Sequence, residues 1–276
     1  MDVTFHGVRG SCPCPSEENR RYGGNTACVA VTAGDHEPIV FDLGTGLRSF
    51  GQTQPTDGTF RATALVTHLH WDHVQGFPFF PPSDRAGARF DIYGPRQDGG
   101  TLAEVFGDWM RPPYFPVHYE DLRGDIRFHD VEHEELAVGD AKVRVRPVPH
   151  CGPTVGYRVE LDGRVVTYIS DHQAPRSLQG FADSVLELAE GADLLIHDAQ
   201  YTPEEFAERA HWGHCTVGYA VRLAAAAGVR RLALFHHDPA HDDDAMDTLA
   251  VAARRLAAEL GDLHVVAARE GLVVTL

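Results

Sequence analysis

Between positions 67 and 73 the chain reads Thr-His-Leu-His-Trp-Asp-His. Four of those side chains, His68, His70, Asp72 and His73, are of metal-ligand type. Imidazole and carboxylate are donors that zinc, iron and manganese accept. The cluster follows directly on Arg61–Thr67, an apolar run of strand length. A strand edge running into a tight loop lets side chains two apart converge on one ion. The contiguous Asp72 and His73 can then turn toward a second. Further candidates stand where other apolar runs end: His150 after Val145–Pro149, Asp171 after Val165–Ser170, and His236 after Leu232–Phe235. Any one of these alone reads as an ordinary polar residue. Together with the first cluster they are enough ligands for two ions. Cys12-Pro13-Cys14 could take a soft metal, but a lone Cys-x-Cys reads first as a turn.

The elements that must position these groups follow from periodicity. Strands are expected over Val3–Val8, Ala27–Ala33, Ile39–Asp42, Arg61–Thr67 and Arg89–Tyr93 in the first half. In the second half strands over Lys142–Pro147, Thr154–Glu160, Val165–Ser170, Asp193–His197, Arg231–Phe235, His264–Ala267 and Gly271–Leu276 alternate with helices over Leu178–Ala189, Thr216–Ala227 and Ala245–Leu260. Glycines at 191, 228 and 261 stop those helices. Between Gly94 and His129 the pattern fails. That stretch carries Gly99-Gly100, Pro112-Pro113 and Pro116 beside Phe106, Trp109, Tyr114, Phe115 and Tyr119. Linkers are poor in large aromatics, so an ordered insertion or lid at about 94–129 is expected. The whole chain, 1–276, reads as a single α/β domain with helices outside its sheets.

Composition narrows the function. The 276 residues hold 24 Lys+Arg against 40 Asp+Glu, a net charge of −16. Surfaces that wrap a nucleic-acid backbone use Lys and Arg, so no long nucleic acid is expected as a partner. Seventeen histidines occur in a chain whose only lysine is Lys142. The N-terminus has no basic segment followed by an apolar one, and no run approaches the ~20 apolar residues of a membrane span. Five cysteines, at 12, 14, 28, 151 and 215, do not make a disulfide framework. A cytoplasmic location and no membrane contact are expected.

The series His68-x-His70-x-Asp72-His73, then His150, Asp171 and His236, resembles that of the metallo-β-lactamase-fold hydrolase superfamily. The resemblance runs from Phe5-His6-Gly7-Val8-Arg9-Gly10-Ser11 to the last strand. It implies a four-layer αββα sandwich with the site at one edge of the two sheets. It also implies that one ion takes His68, His70 and His150, that the other takes Asp72, His73 and His236, and that Asp171 bridges them. His236 is preferred to the adjacent His237 because it directly follows Phe235, as the family's ligand follows its strand. Two such ions can share a hydroxide nucleophile. Zinc suits the set, and manganese, iron or nickel are also accepted by it.

Two further segments resemble the ribonuclease Z-like phosphodiesterase branch. They are Ile196-His197-Asp198-Ala199 and Gly213-His214-Cys215-Thr216. By that resemblance His214 is the general acid and Asp198 its partner; Asp72 joins them in the catalytic set. Asp198 stands where that branch usually carries Glu, and Cys215 where it carries Ser. A phosphodiester leaving group needs a proton, which imidazole can supply near neutral pH. The reading is a binuclear hydrolase acting on a small phosphodiester of the cyclic nucleotide or cyclic phosphate type. A homodimer is compatible with it. The alternative is an acyl ester, thioester or lactone hydrolase of the same fold. Arg21 and Asn25 are weighed as substrate contacts against an N-terminal turn, and Tyr114 and Phe115 against a small local core.

Overall fold

The computed structural model describes residues 1–276. The first half supplies β1 (Asp2–Gly7), β2 (Cys28–Thr32), β3 (Ile39–Phe41), α1 (Leu47–Gly51), β4 (Arg61–Leu65), α2 (Trp71–Val74), β5 (Arg89–Pro95), α3 (Leu102–Trp109) and β6 (Asp125–Val131). The second supplies β7 (Glu135–Val138), β8 (Ala141–Pro147), β9 (Val155–Leu161), β10 (Arg164–Ile169), α4 (Asp183–Ala189), β11 (Leu194–Asp198), α5 (Pro203–Arg209), α6 (Val217–Ala226), β12 (Arg231–Phe235), α7 (Asp243–Leu260), β13 (His264–Ala267) and β14 (Val273–Thr275).

Two seven-stranded sheets result, ordered β14-β1-β2-β3-β4-β5-β6 and β13-β12-β11-β10-β9-β8-β7. Each runs through three antiparallel pairings and then three parallel ones. Val3, Phe5, Phe41 and Leu65 of the first sheet pack against Tyr157, Tyr168, Ile196 and Phe235 of the second. Phe41 and Tyr168 stack at 4.7 Å across this middle layer. Alternate residues of the same strands face outward and are covered by helices. On the second sheet α7 presents Met246, Ala250, Ala253 and Ala257 as one buried stripe. The αββα sandwich implied by the sequence is the fold observed.

The alternation of sheet and helix sends parallel strands β3, β4, β10, β11 and β12 in one direction. The register pairs Phe41 with Leu65, Ile169 with His197, and Asp198 with Phe235. The residues after those strands therefore gather at one rim of the sandwich, where open α/β sheets place their ligands.

Several expected elements shift for local reasons. Asp242 accepts backbone N–H bonds from Asp244 and Ala245, so α7 begins two residues earlier than the expected Ala245. The helix expected from Leu178 begins at Asp183, because Leu178 and Gly180 both have positive φ. The segment 94–129, expected as an insertion or lid, is built differently. It holds the end of β5, α3 and most of β6, and β5 and β6 pair in parallel from Arg89–Asp125 to Pro95–Val131. Phe106 is buried against Phe77 and Phe128, at 5.1 and 5.0 Å, as part of the outer layer. Tyr114 is exposed and Phe115 packs edge-on to Phe79. No helix is long and apolar enough to cross a membrane. All five cysteines are unpaired.

Candidate active site

The loop after β4 turns at Thr67 and enters α2 at Trp71, which brings His68, His70, Asp72 and His73 to the rim. His68 Nε2 and His70 Nδ1 are 2.8 Å apart, and His150 Nε2 is 3.3 Å from the same His70 nitrogen. These three nitrogens form one cluster of donor atoms. Asp72 Oδ2, His73 Nε2 and His236 Nε2 form a second, with 3.1 Å from Asp72 to His73 and 3.0 Å from Asp72 to His236. Asp171 lies between them. Its Oδ1 is 3.6 Å from His150 and 3.4 Å from His236, and its Oδ2 is 3.2 Å from His73. All seven residues singled out as ligands thus meet in one place.

The electrostatics of the cluster are those of a cation site. Burial, with the neighbouring imidazoles, pulls His68 well below its ordinary pKa, and burial lowers His70 and His150 too. Neutral rings of this kind offer lone pairs. Burial opposes ionisation of Asp72 and Asp171, yet the adjacent histidines hold both carboxyls well below the usual range. His73 Nε2 and Asp171 Oδ2 are buried with no hydrogen-bond partner. Two such orphans facing each other at 3.2 Å fit a shared positive charge.

Residues that the sequence did not single out hold the ligands in place. Asp42, which follows β3, takes Nδ1–H of His73 at 2.8 Å, the Tyr168 hydroxyl at 2.8 Å and the Thr67 backbone N–H at 2.8 Å. Gln200 Oε1 is 2.8 Å from His236 Nδ1, the Gly213 carbonyl is 2.7 Å from His150 Nδ1, and Thr67 Oγ1 is 3.0 Å from His68 Nδ1. The Ser11 backbone N–H donates to Asp72 Oδ2 at 2.7 Å. Partners of this kind fix each imidazole's tautomer and aim its other nitrogen inward. Ser11, Asp42 and His236 all adopt positive φ, and three of the five non-glycine residues that do so are here. The one sequence signal was Asp42 itself, a carboxylate at the end of an apolar strand.

Asp198, at the end of β11, is fully buried. Its Oδ2 is 2.9 Å from His214 Nδ1 and accepts the His172 backbone N–H, while Oδ1 accepts that of Gln200. The aspartate therefore reaches the imidazole despite being shorter than glutamate. His214 stacks on His236 at 4.9 Å and lines the pocket over the cluster. His237 lies apart, with Nε2 2.8 Å from the Ala268 carbonyl. His197 is buried against His172, with the two ring nitrogens 3.0 Å apart. Arg21 engages Asp243, Asp244 and Asp247, and Asn25 engages Glu270. Cys12 and Cys14 join no donor cluster.

This sandwich, with histidine and aspartate clusters at its rim suited to metal, is that of a metal-dependent hydrolase. The sequence profile described as beta-lactamase superfamily domain matches residues 39–237, and the chain belongs to that superfamily. It is 31% identical to the ribonuclease Z of Haloferax volcanii, across 86% of this chain and 84% of that one. Among solved structures, the metallo-beta-lactamase fold protein YhfI from Bacillus subtilis superposes with a TM-score of 0.72 at 20% identity, covering 99% and 98% of the two chains. Human tRNase Z, short form, does so with 0.72 at 22%, covering 100% and 99%.

The ribonuclease Z relatives overturn one expectation, that a long nucleic acid is excluded as a partner. Net charge sums the whole surface, whereas binding responds to the potential at the site. A chain at −16 can therefore share its fold and most of its length with enzymes named for RNA.

Proposed function

We propose that the protein hydrolyses phosphodiester bonds with two divalent ions. His68, His70 and His150 would hold one, and Asp72, His73 and His236 the other, with Asp171 between them. Mixed nitrogen and oxygen donors suit zinc and are also accepted by manganese, iron or nickel. Ions held there supply Lewis-acid charge for the phosphoryl oxygens and a water acidified toward neutrality.

The chain's own residues do the rest. The observation that carries the phosphodiester reading is the 2.9 Å contact between His214 Nδ1 and Asp198 Oδ2 beside the donor clusters. With Nδ1 committed to Asp198, Nε2 of His214 is the nitrogen left to hand a proton to a leaving oxygen. Asp198 holds the ring's orientation. Acyl transfer at such a centre has less need of that pair. The ribonuclease Z relatives support the same bond type.

The test is turnover by metal-loaded protein of bis(p-nitrophenyl) phosphate, 2′,3′- and 3′,5′-cyclic nucleotides and a tRNA precursor, beside p-nitrophenyl acetate, a thioester and a lactone. Hydrolysis of phosphodiesters, lost in Asp72→Ala, is expected. Hydrolysis of the acyl substrates alone would sink the proposal.

A further inference from the structure

The pocket over the donor clusters is flanked by two large aromatics that the chemistry above does not use. Trp71, between ligands His70 and Asp72, is 69% exposed, and Trp212, two residues before His214, is 56% exposed. Exposing two indoles in water is unfavourable unless something covers them. Arg209 sits over the Trp212 ring at 5.5 Å and also over Tyr201 at 5.8 Å, and it is ion-paired to Asp238 at 3.3 Å. That guanidinium braces the indole while leaving more than half of the side chain open. Leu69 also lines this open pocket, whose volume is about 520 Å³. No Lys or Arg lines the pocket.

We infer that Trp71 and Trp212 form a stacking site for a planar ring carried next to the scissile phosphate. The substrate class is a phosphodiester whose retained, non-leaving group carries the ring, as a nucleoside 5′-diester does. Indole faces bind any base, because every base has a π-face. The assignment rests on the phosphodiesterase reading for its scissile bond, but not for its ring recognition.

Two substrates with the same leaving group separate the contributions: thymidine 5′-(p-nitrophenyl phosphate) and methyl p-nitrophenyl phosphate. The ratio of their kcat/KM values should exceed about 10 in the native protein, the scale of base–aromatic stacking. It should fall toward one in Trp71→Ala/Trp212→Ala and be largely kept in Trp71→Phe/Trp212→Phe. Binding is read separately, by titration calorimetry with adenosine 5′-monophosphate against ribose 5-phosphate. If neither diester is hydrolysed but the adenosine compound binds at least tenfold tighter, and the alanine pair loses this, stacking stands and the phosphodiesterase reading falls. If diesters are hydrolysed with a ratio near one in the native protein, stacking falls and that reading stands. An unchanged ratio in the alanine pair, with a dimer converted to monomer by light scattering, would assign the tryptophans to a subunit interface and overturn the inference.

Discussion

Asp42 Oδ2 lies 2.8 Å from Nδ1 of His73, and neither side chain exposes any surface. The carboxylate accepts from Nδ1–H and leaves Nε2 as the nitrogen that faces Asp72 and Asp171. Asp42→Asn sets an amide that can donate where only an acceptor serves, which favours the opposite tautomer. A loss of roughly 10- to 100-fold in metal affinity or activity is expected. Competition with a chelator of known affinity, read by elemental analysis, checks it.

Two glycines leave room for imidazoles. A Cβ on Gly10 would sit 2.3 Å from His236 Nδ1, and one on Gly213 would sit 2.5 Å from His150 Nδ1. Gly213 also has φ of +97°, which disfavours any L side chain. Gly10→Ala should weaken the ion held by Asp72, His73 and His236. Gly213→Ala should weaken the one held by His68, His70 and His150. Metal content per chain should drop toward one ion in each variant; retention of both in both would contradict this placement.

The His214–Asp198 pair should matter in proportion to the basicity of the leaving group. With p-nitrophenolate leaving, His214→Ala is expected to cost little, because that oxygen departs without a proton. With a nucleoside or alkyl alkoxide leaving, the loss should reach roughly 10²- to 10⁴-fold. Asp198→Asn should follow the same trend more weakly. A plot of log kcat against leaving-group pKa measures it, and parallel slopes for native and variant protein would remove the pair from proton transfer.

Chelation should cost stability as well as activity. His68, Asp72, His73, Asp171 and His236 are all buried, and the two carboxylates share one site. An ion present at a hundred times its Kd contributes about 2.7 kcal/mol. For a chain of this size its removal should lower Tm by roughly 5–10 °C. Calorimetry with and without EDTA, followed by re-addition of zinc or manganese, tests both the loss and its recovery.

One pH effect lies away from the site. His6 on β1 is partly buried, its ring 5.4 Å from that of Phe50, and burial pulls its pKa down to about 4. The folded chain therefore holds this imidazole neutral where the unfolded chain would protonate it. The stabilising contribution is complete above about pH 6.5 and is lost as pH falls toward 4. His6→Gln should flatten the fall of Tm across that window and leave the value near pH 8 little changed.

Much of this was legible because the chemistry sits where apolar runs stop. Arg231–Phe235 and His264–Ala267 appear with the expected bounds, since buried parallel strands read as unbroken apolar runs. The seven donors were visible for the same reason, each closing such a run or following it. β6 was not legible: in Asp125–Val131, Ile126 and Phe128 turn outward while Arg127 and His129 alternate with them, so no apolar run forms. α5 was missed although Thr202 and Glu205 form a capping box. Asp42 and Gln200 act by holding ligands far off in sequence, and Ser11 and Gly213 act through backbone atoms. Neither role leaves a mark in spacing.

Neither sheet owns the donor set. His68, His70, Asp72 and His73 leave the first sheet, while His150, Asp171 and His236 leave the second. Neither half of the chain alone brings together either of the two donor clusters described above. Both donor clusters form only where the two sheets meet. Uptake of the proposed ions is therefore expected to follow docking of the sheets. A halt before docking would leave a metal-free intermediate whose inner sheet faces are bare, and that is the species a cell would have to protect from aggregation.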